Sequence, residues 1–356
     1  MKKDRKAYLH RARQKRKNSK NRKYFQHPKK QKIKCRKTLC SNKSSDKKQI
    51  IKRKGVIVYP KSLSLLQNID DCAELYRKIR NSKNEALKRK NKKIFLDISD
   101  ITSIDFPATM VLSAIGSELA SHEICFSGNF PKDEECLDLL IKTGFLNNKV
   151  NNKGLKFSKS PSTEFFTVEK GKGRLLIKDI EKICKLVNKV GLYLGITEKA
   201  KDNIKSILKE ILGNSIEWSE SYEKQWTLGI MYEDDRVLFS VLDLGKGIIE
   251  TIYRRFSTKI IDQLQLRTDK DILERAFEKK YGSSSKEVNR YKGLPSIKRV
   301  YSEGDIQNLH VLTNNVMLSF DSYTKGCQFS EERTAFNGTL YYWEINKNKN
   351  ENIDSK

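Results

Sequence analysis

Acidic residues are almost missing from the first 54 positions. Asp4 and Asp46 stand there against 24 Lys and Arg, so this stretch carries 24 − 2 = +22 of the chain's formal +28. The remaining 302 of the 356 residues hold 72 − 24 = 48 basic and 44 − 2 = 42 acidic side chains, a surplus of only six. Long hydrophobic runs are missing too. The richest, Phe106 to Gly116, is interrupted by Pro107 and falls short of the ~18 apolar residues of a membrane-spanning helix. No apolar core of a secretory leader occurs among residues 1–54. The seven cysteines (35, 40, 72, 125, 136, 184, 327) are odd in number and lack a framework spacing, which suits a reducing cytosol better than secretion. Transmembrane and disulfide-scaffold classes are thereby excluded, no membrane partner is expected, and the expected location is cytoplasmic. No internal repeat is present.

What is there divides by texture. Residues 1–54 offer no apolar periodicity to offset the entropy of ordering, so they read as a disordered polybasic arm. Tyr8, Tyr24 and Phe25 sit among its cations, the mixture that stacks on exposed bases while Lys and Arg neutralise phosphate. The arm therefore points to nonspecific nucleic acid as a partner, or to a plain solvated tail. Cys35, Cys40, His10 and His27 match no common zinc-finger spacing, and free thiols are expected there.

From residue 55 to 150 short apolar runs alternate with helical patterns, the mark of an α/β unit. Val56-Ile57-Val58-Tyr59 and Ile94-Phe95-Leu96-Asp97-Ile98 read as strands. Cys72, Leu75, Tyr76, Ile79 and Leu87 fall at mostly helical spacing. Residues 107–121 read as a helix with Pro107 in its first turn, Ile124-Cys125-Phe126 as a strand, and 132–143 as a helix stopped by Gly144. The run IFLDISDITSIDFPATMVLSAIGSEL, followed by LDLLIKTGFLN, resembles a STAS domain, the fold of anti-sigma-factor antagonists. The resemblance implies docking of a protein partner. Regulatory members carry a phosphorylatable Ser just after the loop Asp, whereas here Asp105 is followed by Phe106 and Pro107, with Ser103 and Thr109 to either side. A scaffolding role, without a phosphorylation switch, is the expectation. Residues 151–170 are turn-rich and read as a linker, and 347–356 as a polar tail.

Residues 171–346 carry the chemistry. In NIKSILKEILGNSIEW an apolar stripe of Ile204, Ile207, Leu208, Ile211 and Leu212 leaves Glu210, Asn214 and Glu217 at i, i+4 and i+7 on another face. Gly213 within this helix costs about 1 kcal/mol relative to Ala, which suggests that something large passes close to the backbone. Arg236-Val237-Leu238-Phe239-Ser240-Val241-Leu242 reads as a buried strand ending in Asp243-Leu244-Gly245-Lys246-Gly247. A carboxylate there, beside bare backbone, can accept from an exocyclic amine while the glycines admit a flat ring or phosphate. Alone, Asp-x-Gly-x-Gly is equally well explained as a turn. Farther on, Lys292-Gly293-Leu294 opens an amphipathic helix, a plausible anion site. NNVMLSFDS and NGTLYYWEI read as late strands, the second opened by Asn337-Gly338-Thr339.

These four boxes, in this order, resemble the GHKL ATP-binding fold of gyrase B, Hsp90, MutL, histidine kinases and anti-sigma-factor kinases. EILGNSIEW is especially similar to the gyrase-type first box. The resemblance implies an α/β sandwich with helices on one face of a mixed sheet, and ATP and Mg2+ as cofactors. It assigns Asn214 to an oxygen ligand of Mg2+, and Glu210 to the base that polarises the attacking water. Asp243 takes the adenine amine, with Thr339 beside it. Gly245, Lys246 and Gly247 belong to the base and sugar, Lys292, Gly293 and Leu294 to the lid, and Glu217 to a further acid near the nucleotide. Pro295 and Lys292 make this lid poorer in glycine than the family's, so slow turnover is expected. Relatives often act as homodimers, which is one assembly open to this chain. An ATPase-type switch is the leading expectation. A Ser/Thr kinase of the anti-sigma type is the runner-up, and a nucleic-acid-associated protein working through its basic arm is a third reading. A histidine kinase is disfavoured: there are four histidines (10, 27, 122, 310), and His122-Glu123 lies where helix passes to strand.

Overall fold

The computed structural model describes residues 56–58, 61–88, 92–146, 149, 166–173, 175–218, 225–255, 268–278, 293–321, 326–328 and 335–347. The basic arm, most of the 151–170 segment, Lys292 and the end of the chain lie outside the described residues. The chain divides between Ile51 and Lys52, and the elements below all belong to the second unit.

The first half of that unit is built on strands β1 (Val56–Val58), β2 (Ser62–Leu63), β3 (Lys93–Asp97), β4 (Ser103–Ile104) and β5 (Cys125–Asn129), with helices α1 (Ile69–Leu87), α2 (Phe106–Ser121) and α3 (Glu134–Lys142). Strands β1, β3 and β5 form a parallel sheet in that order, and β2 pairs in parallel with β4. Asp105 does structural work in this half. Its half-buried carboxylate caps α2 by accepting from the Ala108 amide (2.8 Å), and it also accepts from Ser64 Oγ (2.8 Å) and the Leu66 amide (3.0 Å). The neighbouring hydroxyls are engaged as well: Thr109 Oγ1 donates to the Phe106 carbonyl (2.7 Å) and Ser103 Oγ to Ser62 Oγ (2.8 Å). At the end of α2, Glu123 adopts a positive φ of 58°, a turn between helix and strand.

The second half begins earlier than the expected linker allows. β6 (Phe166–Lys172) starts inside it and is followed by α4 (Ile177–Leu194), α5 (Glu198–Trp218), β7 (Gln225–Tyr232), β8 (Arg236–Asp243), α6 (Ile248–Arg255), α7 (Asp269–Phe277), α8 (Gly293–Ser302), β9 (Gln307–Asn314), β10 (Val316–Ser319), β11 (Cys327–Gln328) and β12 (Phe336–Asn346). The strands form one sheet in the order β11-β10-β9-β12-β8-β7-β6. The fold is α/β, but every pairing in this sheet is antiparallel, where a mixed sheet was expected.

What covers the sheet follows from side-chain alternation along the strands. On β8 and β12, Val237, Phe239, Val241, Tyr341, Trp343 and Ile345 pack with the stripes of α4 and α5, among them Val187, Ile204, Ile207 and Ile211. The Phe239 and Trp343 rings stack there at 5.1 Å between centroids. The alternate residues Leu238, Leu242, Leu340 and Tyr342 point the other way, into a core shared with α1 and α2. The helices of the second half therefore lie on one face of the sheet, as expected, and α1 and α2 of the first half cover the other. Helix α2 is apolar on nearly all sides because it lies between its own parallel sheet and the antiparallel one. No helix among the described residues is long and apolar enough to cross a membrane.

The close approach of α2 depends on Gly229 of β7. A Cβ at that position would come within 2.6 Å of Met110 Sδ and 3.1 Å of Phe106 Cζ. Replacing Gly229 by Leu is expected to cost about 1–3 kcal/mol through overpacking. Hydrogen exchange should then show protection lost in α2 and β7 and kept in α4 and α5. Equal loss throughout would contradict a local docking contact.

Candidate functional site

The predicted residues lie on four segments that meet at one end of the antiparallel sheet. β8 ends at Asp243, and across the ladder its register partner is Thr339 of β12. Both are buried. The Asp243 carboxylate accepts from the Gly245 amide at 2.8 Å, closing the turn after the strand, and the hydroxyl of Ser215 on α5, which donates to the Ile211 carbonyl at 2.9 Å, stands beside it. Burial pushes its pKa up to about 6, against the lowering effect of the Gly245 amide, the Ser215 hydroxyl and the Arg80 guanidinium. The charge of Asp243 in turn helps burial hold the Tyr341 phenol protonated.

Ser215 connects this carboxylate to the polar face of α5, because the preceding residue is Asn214. Asn214 is half-buried and Glu210, one turn earlier, is exposed. Both stand against the first residue of α8: a Cβ on Gly293 would sit 2.8 Å from Glu210 Oε2 and 3.0 Å from Asn214 Nδ2. With a side chain at position 293, the ends of these two side chains would have to shift aside. Leu294 is half-buried and packs against the α4–α5 core. By contrast, no described residue lies within 4 Å of a Cβ built at Gly213, so none of them is the close neighbour expected at that glycine.

The Gly245–Gly247 turn is fixed by residues that the sequence did not single out. Gly247 has φ +87°, a conformation suited to glycine, and its open side is occupied by Thr313 and Asn314 at the end of β9. Thr313 Oγ1 accepts from the Ile248 amide (2.9 Å) and donates to the Gly338 carbonyl (3.1 Å). Asn314 Oδ1 accepts from the Ile249 amide (3.1 Å), and its Nδ2 donates to the Lys246 carbonyl (2.7 Å). These side chains cap the first turn of α6 and tie it to both strand ends. Ser215, Thr313 and Asn314 were missed because a Ser or Asn in a strand or helix carries no signal until its partner is known.

Glu210, Asn214 and Gly293 are thus brought together, as are Asp243, Gly245 and Thr339, and Ser215 joins the two groups. Lys246 is half-buried beside them. The side chain of Glu217 and the whole of Lys292 lie outside the described residues. Chemically, the arrangement offers a recessed anionic acceptor for an amine and a carboxamide and a carboxylate on adjoining helical turns. Among the described residues no group of three or more His, Cys, Asp and Glu gathers to hold a metal ion. The donors here fit only a hard cation that takes most of its oxygens from a ligand and water.

No protein-family model matches the chain, and no curated protein does either. A solved structure described as the SiaB-SiaC complex from Pseudomonas aeruginosa aligns over 50% of this chain and 88% of its own, at 13% identity and a TM-score of 0.25. A likeness that loose carries no conclusion about fold or activity.

Proposed function

We propose that this chain binds Mg·ATP at the Asp243–Asn214 end of the antiparallel sheet and works as a regulatory ATPase-type switch, with the STAS-like half as its docking module. What carries this reading is the convergence on α5: Ser215 lies beside the base-facing carboxylate while the residue before it, Asn214, meets Gly293 of α8. A site for a nucleotide has to present an amine acceptor at one end and metal and phosphate ligands at the other. Asp243 with Thr339 supplies the first, and Asn214, Glu210 and the start of α8 supply the second.

The residues then divide the work. Asp243 accepts from the adenine amine and so selects the base. Asn214 supplies one oxygen to Mg2+, which neutralises phosphate charge when bound. Glu210, exposed and one turn away, is placed to accept a proton from an attacking water. Transfer to a protein hydroxyl instead of water uses the same groups, and the product separates the two outcomes. Asp105 caps a helix and no acceptor hydroxyl follows it, so an acceptor for such a transfer belongs to another protein.

The test is binding of a nonhydrolysable ATP analogue to the full chain, with and without magnesium. Saturable binding strengthened by magnesium is expected, and its absence would end this reading. Deleting residues 1–54 should leave that affinity unchanged while removing salt-sensitive polynucleotide binding. If nucleotide affinity fell with the arm, the arm would be part of the site.

A further inference from the structure

The two strand ends that bear Asp243 and Thr339 are bridged from outside the nucleotide half by the side chain of Arg80 on α1. Its Nη1 donates to the Asn337 carbonyl at 2.9 Å, and its Nη2 donates to the Leu244 carbonyl at 3.1 Å. Leu244 directly follows Asp243, and Asn337 lies two residues before Thr339. The planar guanidinium therefore bridges β8 and β12 where their backbones leave the ladder. Arg80 is itself positioned. One helical turn earlier, Tyr76 packs edge-on against Phe336 of β12 (6.4 Å between centroids). Behind it, Glu118 of α2 stands 3.5 Å from Arg80 Nε and 2.7 Å from Lys83 Nζ, and both Arg80 and Glu118 are largely buried.

We infer that Arg80 is a positioning residue for the base-reading corner, through which the state of the α1–α2 docking module sets how well the site holds adenine. The inference rests on the nucleotide reading above and deepens it by naming the path of regulation. A partner that shifts α1 or α2 moves the guanidinium, and with it the relative placement of Asp243 and Thr339. By linkage, a nucleotide seated on those residues favours the docked position of α1 and changes affinity for that partner by the same factor.

The experiment measures dissociation constants of nonhydrolysable ATP and ITP analogues for full-length wild type, Arg80→Ala and Arg80→Lys, together with their thermal melts. ITP carries an oxygen where adenine carries the amine, so the ATP-to-ITP affinity ratio reports the Asp243 contact and not the phosphate contacts. Glu118 keeps Lys83 as a partner in Arg80→Ala, which protects the variant from a stranded buried charge. Arg80→Ala is expected to weaken the ATP analogue roughly tenfold, within the usual range of intersite coupling, and to leave the ITP analogue nearly unchanged. Arg80→Lys, with one donor centre for two carbonyls, should fall between. Unchanged ATP affinity in Arg80→Ala, or equal weakening of both analogues alongside a lowered melt, would overturn the role of Arg80 alone. Failure of wild type to bind either analogue, or to prefer adenine, would overturn the underlying site.

Discussion

Asp243→Asn is expected to weaken binding of an ATP analogue severely while making the folded chain more stable at neutral pH. The two effects have one cause. Asp243 is buried with its pKa raised from 3.8 to about 6, so at pH 7 the fold carries an ionised group that it has largely removed from water. A rise of that size corresponds to about 3 kcal/mol of strain at neutral pH. Asparagine removes the charge and keeps the shape. Its single oxygen remains committed to the Gly245 amide, which leaves its NH2 facing the incoming amine, donor against donor. The loss of affinity should be on the order of 100-fold, as for other sites whose buried acceptor is taken away. Titration gives the same sign. The folded chain holds its Asp243 proton to higher pH than the unfolded chain, so this group's stabilising contribution is greatest below about pH 4. It is lost as pH rises towards 6. Asp105, also raised by burial, adds to the trend. Nucleotide binding runs the opposite way and should fall as pH drops through about 6, because only the carboxylate accepts from the amine. Calorimetric melts and binding isotherms from pH 5 to 8 measure both. A variant that bound normally, or binding independent of pH over that range, would remove Asp243 from the base site.

Local structure was largely legible in the sequence, and pairing was not. The five apolar positions of α5 are all fully buried, as their spacing required. The apolar run of β8 is buried on both faces, which is why it contains no polar alternation. That same continuity was the one hint that something besides α4 and α5 must cover the sheet, yet a sequence does not say which helices do so. The all-round apolar face of α2 was the complementary hint. β7, β9 and much of α4 went unread because their residues make sense only as neighbours of other strands. Antiparallel pairing throughout depends on connections that sequence pattern does not fix. The boxes of the candidate site were legible because each combines a turn or helix face with an unusual polar residue. Their supports were not. Arg80 looks like any basic residue of a charged helix until the fold carries it to carbonyls 164 and 257 positions away.

Glu210→Gln and Asn214→Ala should separate catalysis from metal-dependent binding. Glu210 is exposed at the open end of the α5 polar face, in contact distance of the α8 start, and it makes no part of the buried base corner. Glutamine preserves its volume against Gly293 and removes its ability to take a proton. Analogue affinity should therefore stay within about threefold while turnover falls roughly 100-fold or more, the usual contribution of a positioned general base. Asn214 sits deeper, beside Ser215, and its loss removes an oxygen ligand without disturbing the Asp243 carboxylate. Asn214→Ala should keep weak, magnesium-independent affinity and lose the gain that magnesium gives to wild type. The decisive measurement pairs analogue binding at several magnesium concentrations with steady-state phosphate release, both performed on each variant. Equal hydrolysis by both variants and wild type would reject the assigned roles. Turnover lost in Asn214→Ala together with Mg-dependent binding, but lost in Glu210→Gln without it, is the pattern that a metal ligand and a base on adjoining helical turns must produce.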